Sequence, residues 1–574
     1  MTNKKLDDYL FQEIKTGNLK KIHYLIKIGA DLNTSNFLGE TPLFVATTFN
    51  QIDIAKLLIL NQALVDKANF HNETPLMVAI QRENLDMIKM LCAFGANVDA
   101  KTSQHKTPLM FAAETGIFKE RQKDIIEYII KRSNFNVDLP DFDRRTALMY
   151  ASQANNLEAI KILLTHYADI ERRDTKGQTP LMYAINNHHL EATTLLLKQG
   201  ANPNCEDNFG TTPLMLAPTD EIANIIQQYG GQVNPNTPKN LLLLNSKCYT
   251  VAKIALEKGA PANALTDDKR LIFNNKITQN HIGPIKAMIE YGIDVNSPCP
   301  TTHLTPLLLA VNLNKTEIAH LLIKAKANVN EYNIVRGRLL EIAVQNNYKE
   351  LTELLIQNGA QINAPQHSNI LIYAQTDDMA DLLLKHKASI RKEDLKELDD
   401  LFLDASSPKV AELFLQNGAD INIKSPSSNT TKIIEECRKL NPNLDMIKML
   451  LKHKANPNEI HEDYGSPLTL AAENDSKELI ELLLSHKADI NMQNSDGKTA
   501  LHASINANST KAIVCLLKHN ANLNLRDIFG ASPLDIATDK QKELINQTLI
   551  SLKENHKNFL KNPILPSRGG ADFC

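Results

Sequence analysis

Hydrophobic positions along the chain recur in short helical patterns that come in pairs. In residues 74–94, TPLMVAIQREN is followed by LDMIKMLCAF, and the apolar positions in each segment are three and four residues apart. This spacing places Leu76 and Ile80 on one face of a first helix, and the second segment repeats the arrangement. The pattern predicts helices over about 75–82 and about 85–94, joined by a short turn.

The paired pattern repeats along the chain every 33 residues. This step separates Thr41, Thr74 and Thr107, then Thr146, Thr179 and Thr212, and then Ser466, Thr499 and Ser532. Thr or Ser before Pro-Leu or Ala-Leu is typical of a helix start, because the hydroxyl caps free N–H groups and proline needs no hydrogen bond there. One such pair cannot bury both of its apolar faces, so it must stack on copies of itself. The 574 residues therefore hold about 17 units.

Most units end on a residue that we expect in the left-handed conformation after the second helix. Glycine takes this position at Gly29, Gly95, Gly200, Gly259, Gly359 and Gly418, and other residues take it at Tyr167, Lys326, Lys387, Lys454, Lys487 and Asn520. A residue with a Cβ costs about 1 kcal/mol more than glycine there, and asparagine costs less. We predict that the units ending at Lys387 and Lys454 are the least stable.

These repeated residues resemble a known family. GETPLFVATTFNQIDIAKLLI, GQTPLMYAINNHHLEATTLLLKQGANPN and GKTALHASINANSTKAIVCLLKHNANLN are similar to ankyrin repeats, whose pattern is TPLHxA followed by LLxxGAxVN. The likeness extends over about residues 5–555. It implies an all-α solenoid of about 17 helix-turn-helix units with projecting β-turn fingers. Such solenoids bind other macromolecules, and the scaffold itself performs no chemistry.

The strength of the repeat pattern divides the chain into segments. We predict an N-terminal capping repeat at 1–38, regular repeats at 39–212, degenerate repeats at 213–302, repeats at 303–363, degenerate repeats at 364–464, repeats with a C-terminal cap at 465–555, and an irregular tail at 556–574. An insertion near 115–124 adds six residues between paired helices. Two degenerate units lack about three residues between their helices, and we interpret them as tightened repeats.

Composition and charge narrow the class of protein further. Hydrophobic residues make up 43% of the chain and charged residues 22%, as in folded soluble proteins, and no window approaches 18 consecutive apolar residues. The net charge is −3 and tryptophan is absent, which argues against a nucleic-acid partner. The seven cysteines are scattered without a CxxC motif, which favours a reducing compartment. We expect a cytoplasmic monomer with polar end caps, without membrane contact, cofactor or metal ion.

The sequence offers no motif for catalysis. It contains no GxxxxGK[ST], no GxGxxG after a strand and no HExxH. His188 and His189 point apart on a helix, and we interpret them as structural residues that bond to the backbone. Cys92 and Cys515 lie among the leucines of second helices and are predicted to be core residues. Cys299, in SPCPTTH, is predicted to be exposed, and we expect no catalytic residue.

Aromatic and basic residues stand ahead of the helix starts, in the segments that form the fingers of an ankyrin repeat. The aromatic residues are Phe37, Phe70, Phe142, Phe209, Tyr464 and Phe529, and the basic residues are Arg144, Arg145, Arg172 and Arg173, with Lys119, Arg121 and Lys123 in the nearby insertion. Exposed rings at the centre of a surface are typical binding hot spots. Alternatively, each ring folds back on the neighbouring finger. The basic residues favour an acidic partner or phosphate, or form a solvated face with interleaved acidic residues.

Three hypotheses of function follow from these patterns. The first is a non-enzymatic scaffold or adaptor that binds one or more proteins on a concave surface of fingers and inner helices. The second is a secreted effector, because long arrays of this kind resemble those that intracellular bacteria and large viruses place in a host cell as adaptors. The third is an enzyme with a cryptic domain in 213–300 or 364–445, where repeat endings leave little room for one.

Overall fold

A computed structural model describes residues 3–115, 119–133, 136–268, 270–365 and 368–561. These residues fold into 17 successive pairs of helices, which confirms the predicted helix-turn-helix array. The pairs belong to two compact units, which meet in the chain between Ala327 and Asn328.

The first unit contains ten pairs of helices. They are α1 (Asn3–Thr16) with α2 (Leu19–Lys27), α3 (Pro42–Thr48) with α4 (Ile52–Leu60), α5 (Pro75–Gln81) with α6 (Leu85–Ala93), α7 (Pro108–Glu114) with α8 (Lys119–Arg132), α9 (Ala147–Gln153) with α10 (Leu157–Thr165), α11 (Pro180–Asn186) with α12 (Leu190–Lys198), α13 (Pro213–Leu216) with α14 (Asp220–Gln228), α15 (Lys239–Asn245) with α16 (Tyr249–Glu257), α17 (Ile272–Thr278) with α18 (Ile282–Glu290), and α19 (Pro306–Asn312) with α20 (Thr316–Lys324).

The second unit contains seven pairs. They are α21 (Leu339–Gln345) with α22 (Lys349–Gln357), the 3₁₀ helix η1 (Ile370–Tyr373) with α23 (Asp377–Lys385), α24 (Leu398–Asp404) with α25 (Pro408–Gln416), α26 (Lys432–Arg438) with α27 (Leu444–Lys452), α28 (Pro467–Glu473) with α29 (Lys477–Ser485), α30 (Ala500–Asn506) with α31 (Thr510–Lys518), and α32 (Pro533–Ile536) with α33 (Asp539–Lys561). A second 3₁₀ helix, η2 (Asp394–Lys396), precedes α24, and a two-stranded hairpin of β1 (Tyr332–Asn333) and β2 (Gly337–Arg338) precedes α21.

The predicted capping and packing explain why the pairs form. Thr41 Oγ1 accepts a hydrogen bond from the N–H of Phe44 at 3.1 Å, and Pro42 opens helix α3. First helices pack on first helices of the next repeat, as α3 does on α5, and second helices pack on second helices, as α4 does on α6. Leu43 and Leu58 are fully buried by this stacking. Burial of each such leucine contributes about 1.5–3 kcal/mol.

The left-handed conformation after the second helices is confirmed. Its φ angle is 89° at Gly95, 67° at Lys387 and 68° at Lys454. The same conformation occurs at Gln62, with a φ of 73°, a position that the sequence pattern had not indicated. Residues with a Cβ therefore carry backbone strain at several repeat ends.

The insertion is different from the prediction. Helix α8 has 14 residues where most second helices have nine, so five of the six extra residues extend this helix and do not form a connecting loop. The reason lies in the sequence KERQKD, which is made of good helix formers apart from its final aspartate.

The tightened repeats also differ from the prediction. Helix α13 and helix η1 have four residues each, where most first helices have seven, and three residues still connect each of them to the next helix. The residues are therefore lost from the first helix and not from the connection. The described parts of 213–300 and 364–445 consist of repeat helix pairs and their connections.

The C-terminal cap is longer than expected. The irregular tail was predicted from residue 556, but helix α33 continues to Lys561, because the first helix-breaking residue after the cap is Pro563. The remainder of the predicted tail, 562–574, lies outside the described residues. Among the residues that the structure describes, no helix has the length and hydrophobicity needed to cross a membrane.

Candidate functional site

The fingers ahead of the first helices are built by one recurring turn. In the finger at 69–73, Asn69 Oδ1 accepts hydrogen bonds from the N–H groups of His71 and Glu73, both at 2.9 Å. The N–H of Asn69 donates in turn to the carbonyl of Glu73 at 3.0 Å. Asp174 and Asp207 make the same pattern in later fingers. Because the turn satisfies its own polar groups, the side chains at its second and third residues are left to project.

Hydrogen bonds between neighbouring fingers join them into one row. The second residue of a finger donates its N–H to the carbonyl of the third residue of the preceding finger. The five bonds run from Phe70 to Leu38 at 3.4 Å, and from Ser103 to His71, Phe142 to Gln104, Thr175 to Asp143 and Asn208 to Lys176, each at 2.9 Å. We call these six fingers the finger row; they are residues 36–40, 69–73, 102–106, 141–145, 174–178 and 207–211. Its backbone is ordered before any partner binds.

Five of the six predicted finger aromatics are exposed. Phe37, Phe70, Phe142, Phe209 and Phe529 expose between 69% and 87% of their surface. Some of these rings also lean on the preceding finger. Phe142 meets the ring of His105 edge-on, with centroids 6.2 Å apart, and the ring of Phe70 covers Gly39. The two alternatives drawn from the sequence, exposure and folding back, therefore coexist at these two phenylalanines.

Tyr464 packs against its own finger and a helix of the preceding repeat, and not on the neighbouring finger as the alternative had it. Its ring stacks on His461 with centroids 4.7 Å apart, and the guanidinium carbon of Arg438 lies 4.4 Å from its ring centre. Tyr464 is half-buried and lies in the second unit with Phe529, whereas the other four aromatics belong to the finger row of the first. The structure therefore places Phe37, Phe70, Phe142 and Phe209 along one row of fingers, on its first, second, fourth and sixth members.

The four arginines separate into two roles. Arg145 Nε donates to Asp141 Oδ2 at 2.9 Å, and Arg173 Nη1 donates to the carbonyl of Glu206 at 2.9 Å. Arg144 and Arg172 are exposed beside them. Arg145 and Arg173 are thus engaged in holding the fingers, and Arg144 and Arg172 remain for contact with an acidic group. In the insertion Lys123 is exposed, while the side chains of Lys119 and Arg121 lie outside the described part of the chain.

Two tyrosines on the first helices adjoin the finger row and were missed from the sequence. Tyr150 and Tyr183 donate their hydroxyls to Asp141 at 2.8 Å and to Asp174 at 2.9 Å. Burial, followed by these hydrogen bonds, raises the pKa of both phenols. The signal that could have found them is their shared place, two residues after the leucine of TPL or TAL. Tyr150 is buried and Tyr183 is half-buried, so their hydroxyls anchor two fingers to the first helices and add little exposed aromatic surface.

Two further predictions concern single residues. His189 Nε2 lies 2.9 Å from the carbonyl of Gln153 in the preceding repeat, as expected of a structural histidine. Cys299 was predicted to be exposed, but it is buried, with 1% of its surface exposed. The reason is that it occupies the first position of a finger, where its N–H donates to the carbonyl of Leu304 at 2.9 Å. Burial raises the pKa of its thiol, but hydrogen bonds, the strongest from Thr301, outweigh burial and lower it to about 6.

Comparison with protein families identifies the repeat. The model of three ankyrin repeats matches residues 10–102, 95–174, 401–494, 433–527 and 487–559, the model of many ankyrin repeats matches 163–217, and the model of a single ankyrin repeat matches 302–334. The chain belongs to the ankyrin repeat family. Ankyrin repeats are protein–protein interaction modules, so this ankyrin repeat protein has an interaction role, and its fold is one that is typically non-enzymatic.

Relatives of this ankyrin repeat protein occur in a virus and a bacterium. A protein of fowlpox virus is 26% identical over 177 residues, which cover 28% of this chain and 52% of the viral protein. A protein of Rickettsia felis is 26% identical over 174 residues, covering 30% and 39%, and a second fowlpox protein is 30% identical over 273 residues, covering 33% and 39%. All three are named as ankyrin repeat proteins. The chain spans about half the length of the first relative and less of the others.

Solved ankyrin repeat domains resemble part of the chain. The ankyrin repeat domain of Bcl-3, a member of the IkappaB protein family, is 22% identical with a TM-score of 0.34, covering 38% of this chain and 97% of that domain. The human ASB11 ankyrin repeat domain is 24% identical with a TM-score of 0.35, covering 39% and 98%.

Proposed function

We propose that this ankyrin repeat protein is a non-enzymatic scaffold or adaptor, and that the finger row is its principal binding surface. The observation that carries the proposal is the presence of Phe37, Phe70, Phe142 and Phe209 as exposed rings on one hydrogen-bonded row. Exposed aromatic side chains on an ordered backbone are the groups from which binding hot spots are made. Tyr150 and Tyr183 hold two of the fingers in place through their hydrogen bonds to Asp141 and Asp174.

The order of the row favours affinity. A partner that meets ordered fingers does not have to order them on binding, so less of the interaction free energy is lost to entropy. Every ring that becomes buried against an apolar side chain contributes about 25 cal/mol for each Å² removed from water. Exposed Arg144 and Arg172 stand at the rim of the same row and favour acidic residues in the partner.

The spacing of the fingers limits what binds along them. Stacked helices lie about 8–10 Å apart, and an extended segment rises about 3.3 Å for each residue. One finger therefore corresponds to about three residues of an extended partner. We expect the partner to be a protein segment with apolar side chains about three or six residues apart, because Phe37 and Phe70 lie on successive fingers and the later rings on alternate ones.

A peptide-display experiment tests this proposal while the natural partner is still unidentified. Random peptides are selected on the intact chain, and each binder is then measured on a variant with Phe37→Ser, Phe70→Ser, Phe142→Ser and Phe209→Ser. The matched control carries Tyr9→Ser, Tyr24→Ser, Phe49→Ser and Tyr167→Ser, four exposed aromatics that lie outside the fingers. Circular dichroism confirms that both variants retain their helices.

We expect the selected peptides to bind the control as tightly as the wild type and to lose at least about tenfold in affinity on the finger variant, which corresponds to a single hot spot. Binding should also slow hydrogen exchange at finger amides. Peptides that bind the finger variant as tightly as the wild type would show that the binding surface lies elsewhere.

The sources of the relatives favour a second proposal. We infer that the protein acts as an adaptor inside a host cell, because the similar proteins come from fowlpox virus and Rickettsia felis. A fusion of the whole chain to a reporter that is active only in host cytoplasm tests this inference. Reporter activity in the host supports delivery, and its absence during infection by the native source contradicts it.

A further inference from the structure

We propose that Glu481, Cys515 and His519 form a zinc-binding site that joins two successive repeats of the second unit. Among the residues that the structure describes, these three side chains form a group in which the ligand atoms all lie within 4.8 Å of one another. The group is unconnected with the finger aromatics. From the sequence we expected no metal site, because no motif places these three residues together.

The two helices bring the ligands to one place. Cys515 is the sixth residue of α31, and His519 follows it by four residues, directly after the end of that helix. Side chains four residues apart share a helix face. Glu481 is the fifth residue of α29, which packs against α31. The ligands of a tetrahedral Zn²⁺ ion are about 3.5 Å apart, given bonds of about 2.0–2.3 Å, so small rotations of these side chains complete the site.

The donor set suits zinc. A thiolate, an imidazole nitrogen and a carboxylate oxygen are the three protein ligands that Zn²⁺ takes, and three of them leave one position for water. Cys515 is buried, whereas Glu481 and His519 are exposed, so an ion reaches the site from solvent. Burial raises the pKa of the Cys515 thiol, so metal binding has to displace its proton.

A simpler interpretation is that Glu481 only pairs with a neighbouring lysine. Lys477 Nζ lies 3.6 Å from Glu481 Oε1, but both side chains are half-exposed, and such pairs contribute little. A divalent ion coordinated by Cys515 and His519 would replace this weak pairing. The lysine therefore lowers the affinity of the site and does not block it.

The same unit contains a natural control. Glu412 is the fifth residue of α25, and Met449 and His453 take the positions of Cys515 and His519 on α27. His453 Nε2 lies 2.8 Å from Glu412 Oε1, so a histidine and a glutamate at these positions do form a cross-repeat pair. What α31 adds is the thiol, and methionine is not a zinc ligand.

Titration of the full, reduced chain with Co²⁺, followed by Zn²⁺ competition, tests the site. Tetrahedral Co²⁺ bound to a thiolate gives a ligand-to-metal charge-transfer band in the near ultraviolet. We expect this band with one equivalent of Co²⁺, its loss in Cys515→Ser, and at least about a tenfold loss of affinity in His519→Ala and Glu481→Gln. Binding should release protons.

Controls keep the result independent of folding. Cys92→Ser and Cys299→Ser remove other buried thiols and should leave the band unchanged. Met449→Cys completes the second set of ligands and should add a second equivalent of thiolate-bound Co²⁺. A wild-type chain without the band, or a band that persists in Cys515→Ser, would overturn the proposal.

Discussion

At the end of the first helix, the regular repeats of residues 39–212 and several repeats of the degenerate segments satisfy the free carbonyls in different ways. In the regular repeats, a left-handed residue such as Asn155 turns the chain, and a side chain of the next repeat reaches a free carbonyl, as His189 does at Gln153. In two degenerate repeats, whose first helices keep seven residues, a buried lysine does this instead. Lys276 Nζ donates to the carbonyls of Leu244 at 2.6 Å and Ser246 at 2.5 Å.

A second buried lysine shows that the arrangement recurs. Lys432 Nζ donates to the carbonyl of Leu403, at the end of α24. Carbonyls at a helix C-terminus carry partial negative charge and attract a cation, but burial of the cation is costly. Accordingly, burial lowers the pKa of both lysines. The ends of the first helices thus depend on a left-handed turn in one region and on a buried lysine in another.

A buried ion pair strengthens this contrast in the shortened repeat that contains η1. Asp394 accepts hydrogen bonds from Arg391 Nη2 at 2.6 Å and from Asn369 Nδ2 at 2.7 Å, and Arg391 Nη1 donates to the carbonyl of Ala364 at 2.5 Å. The carboxylate joins residues on both sides of the helix pair. Removing it would leave a half-buried guanidinium without its counter-ion.

The largest effect is therefore expected for Asp394→Ala. Loss of one partner from a buried ion pair costs about 3–5 kcal/mol, and we expect a loss near 3 kcal/mol in urea unfolding, because Arg391 keeps some contact with solvent. Hydrogen exchange should accelerate first in α23 and α24. The matched control is Asp268→Ala, because Asp268 and its partner Arg270 are both exposed and its loss should change stability far less. Equal losses in the two variants would contradict the contrast.

In the regular repeats, replacing a glycine should destabilise the chain most in the finger row. Gly39 and Gly95 both have positive φ, of 80° and 89°. A Cβ at Gly39 would lie 2.7 Å from the N atom of Phe70, whereas one at Gly95 would meet nothing within 4 Å. Gly95→Ala should cost about 1 kcal/mol, and Gly39→Ala about 1–3 kcal/mol more, measured by urea unfolding. Similar costs would show that the fingers do not constrain one another.

The buried lysines make stability depend on pH. Burial, and then the nearby charge of Lys247, lowers the pKa of Lys276 from 10.5 to about 8. Between these values the unfolded chain binds a proton that the folded chain does not, so the free energy of unfolding rises as the pH rises. The gain from pH 7 to pH 9 should be about 1 kcal/mol. In urea unfolding, Lys276→Met should lack this gain. The same pH dependence in the variant and the wild type would show that Lys276 is not the cause.

The sequence predicts those features that recur at a fixed place in each repeat. Helix starts such as Thr41 and left-handed positions such as Gly95 depend on neighbouring residues in the chain, so a 33-residue pattern is enough to find them. The environment of Lys276 and that of Tyr464 depend on contacts between repeats. Such contacts join residues about 30 positions apart, and they differ from one repeat to the next. This is why the finger phenylalanines were found and the buried lysines were not.

The smallest effect is expected where a left-handed residue carries a Cβ. Lys387→Gly and Lys454→Gly should each stabilise the chain by about 1 kcal/mol, because both residues have φ near 68° and glycine removes the strain. Lys326→Gly, at an equal φ but in a repeat outside the degenerate segments, should gain the same amount at the backbone. Hydrogen exchange of nearby amides distinguishes Lys387→Gly and Lys454→Gly from Lys326→Gly.

If the degenerate repeats of this segment are the weakest part of the chain, amides of 364–460 exchange faster than those of 39–212, and Lys387→Gly and Lys454→Gly slow them. Lys326→Gly leaves that segment unchanged, because each repeat contacts only its neighbours. Uniform protection across 364–460 and 39–212 would contradict the expected weakness. In that case the buried Lys432 and the Asp394 network compensate for the strain at the repeat ends.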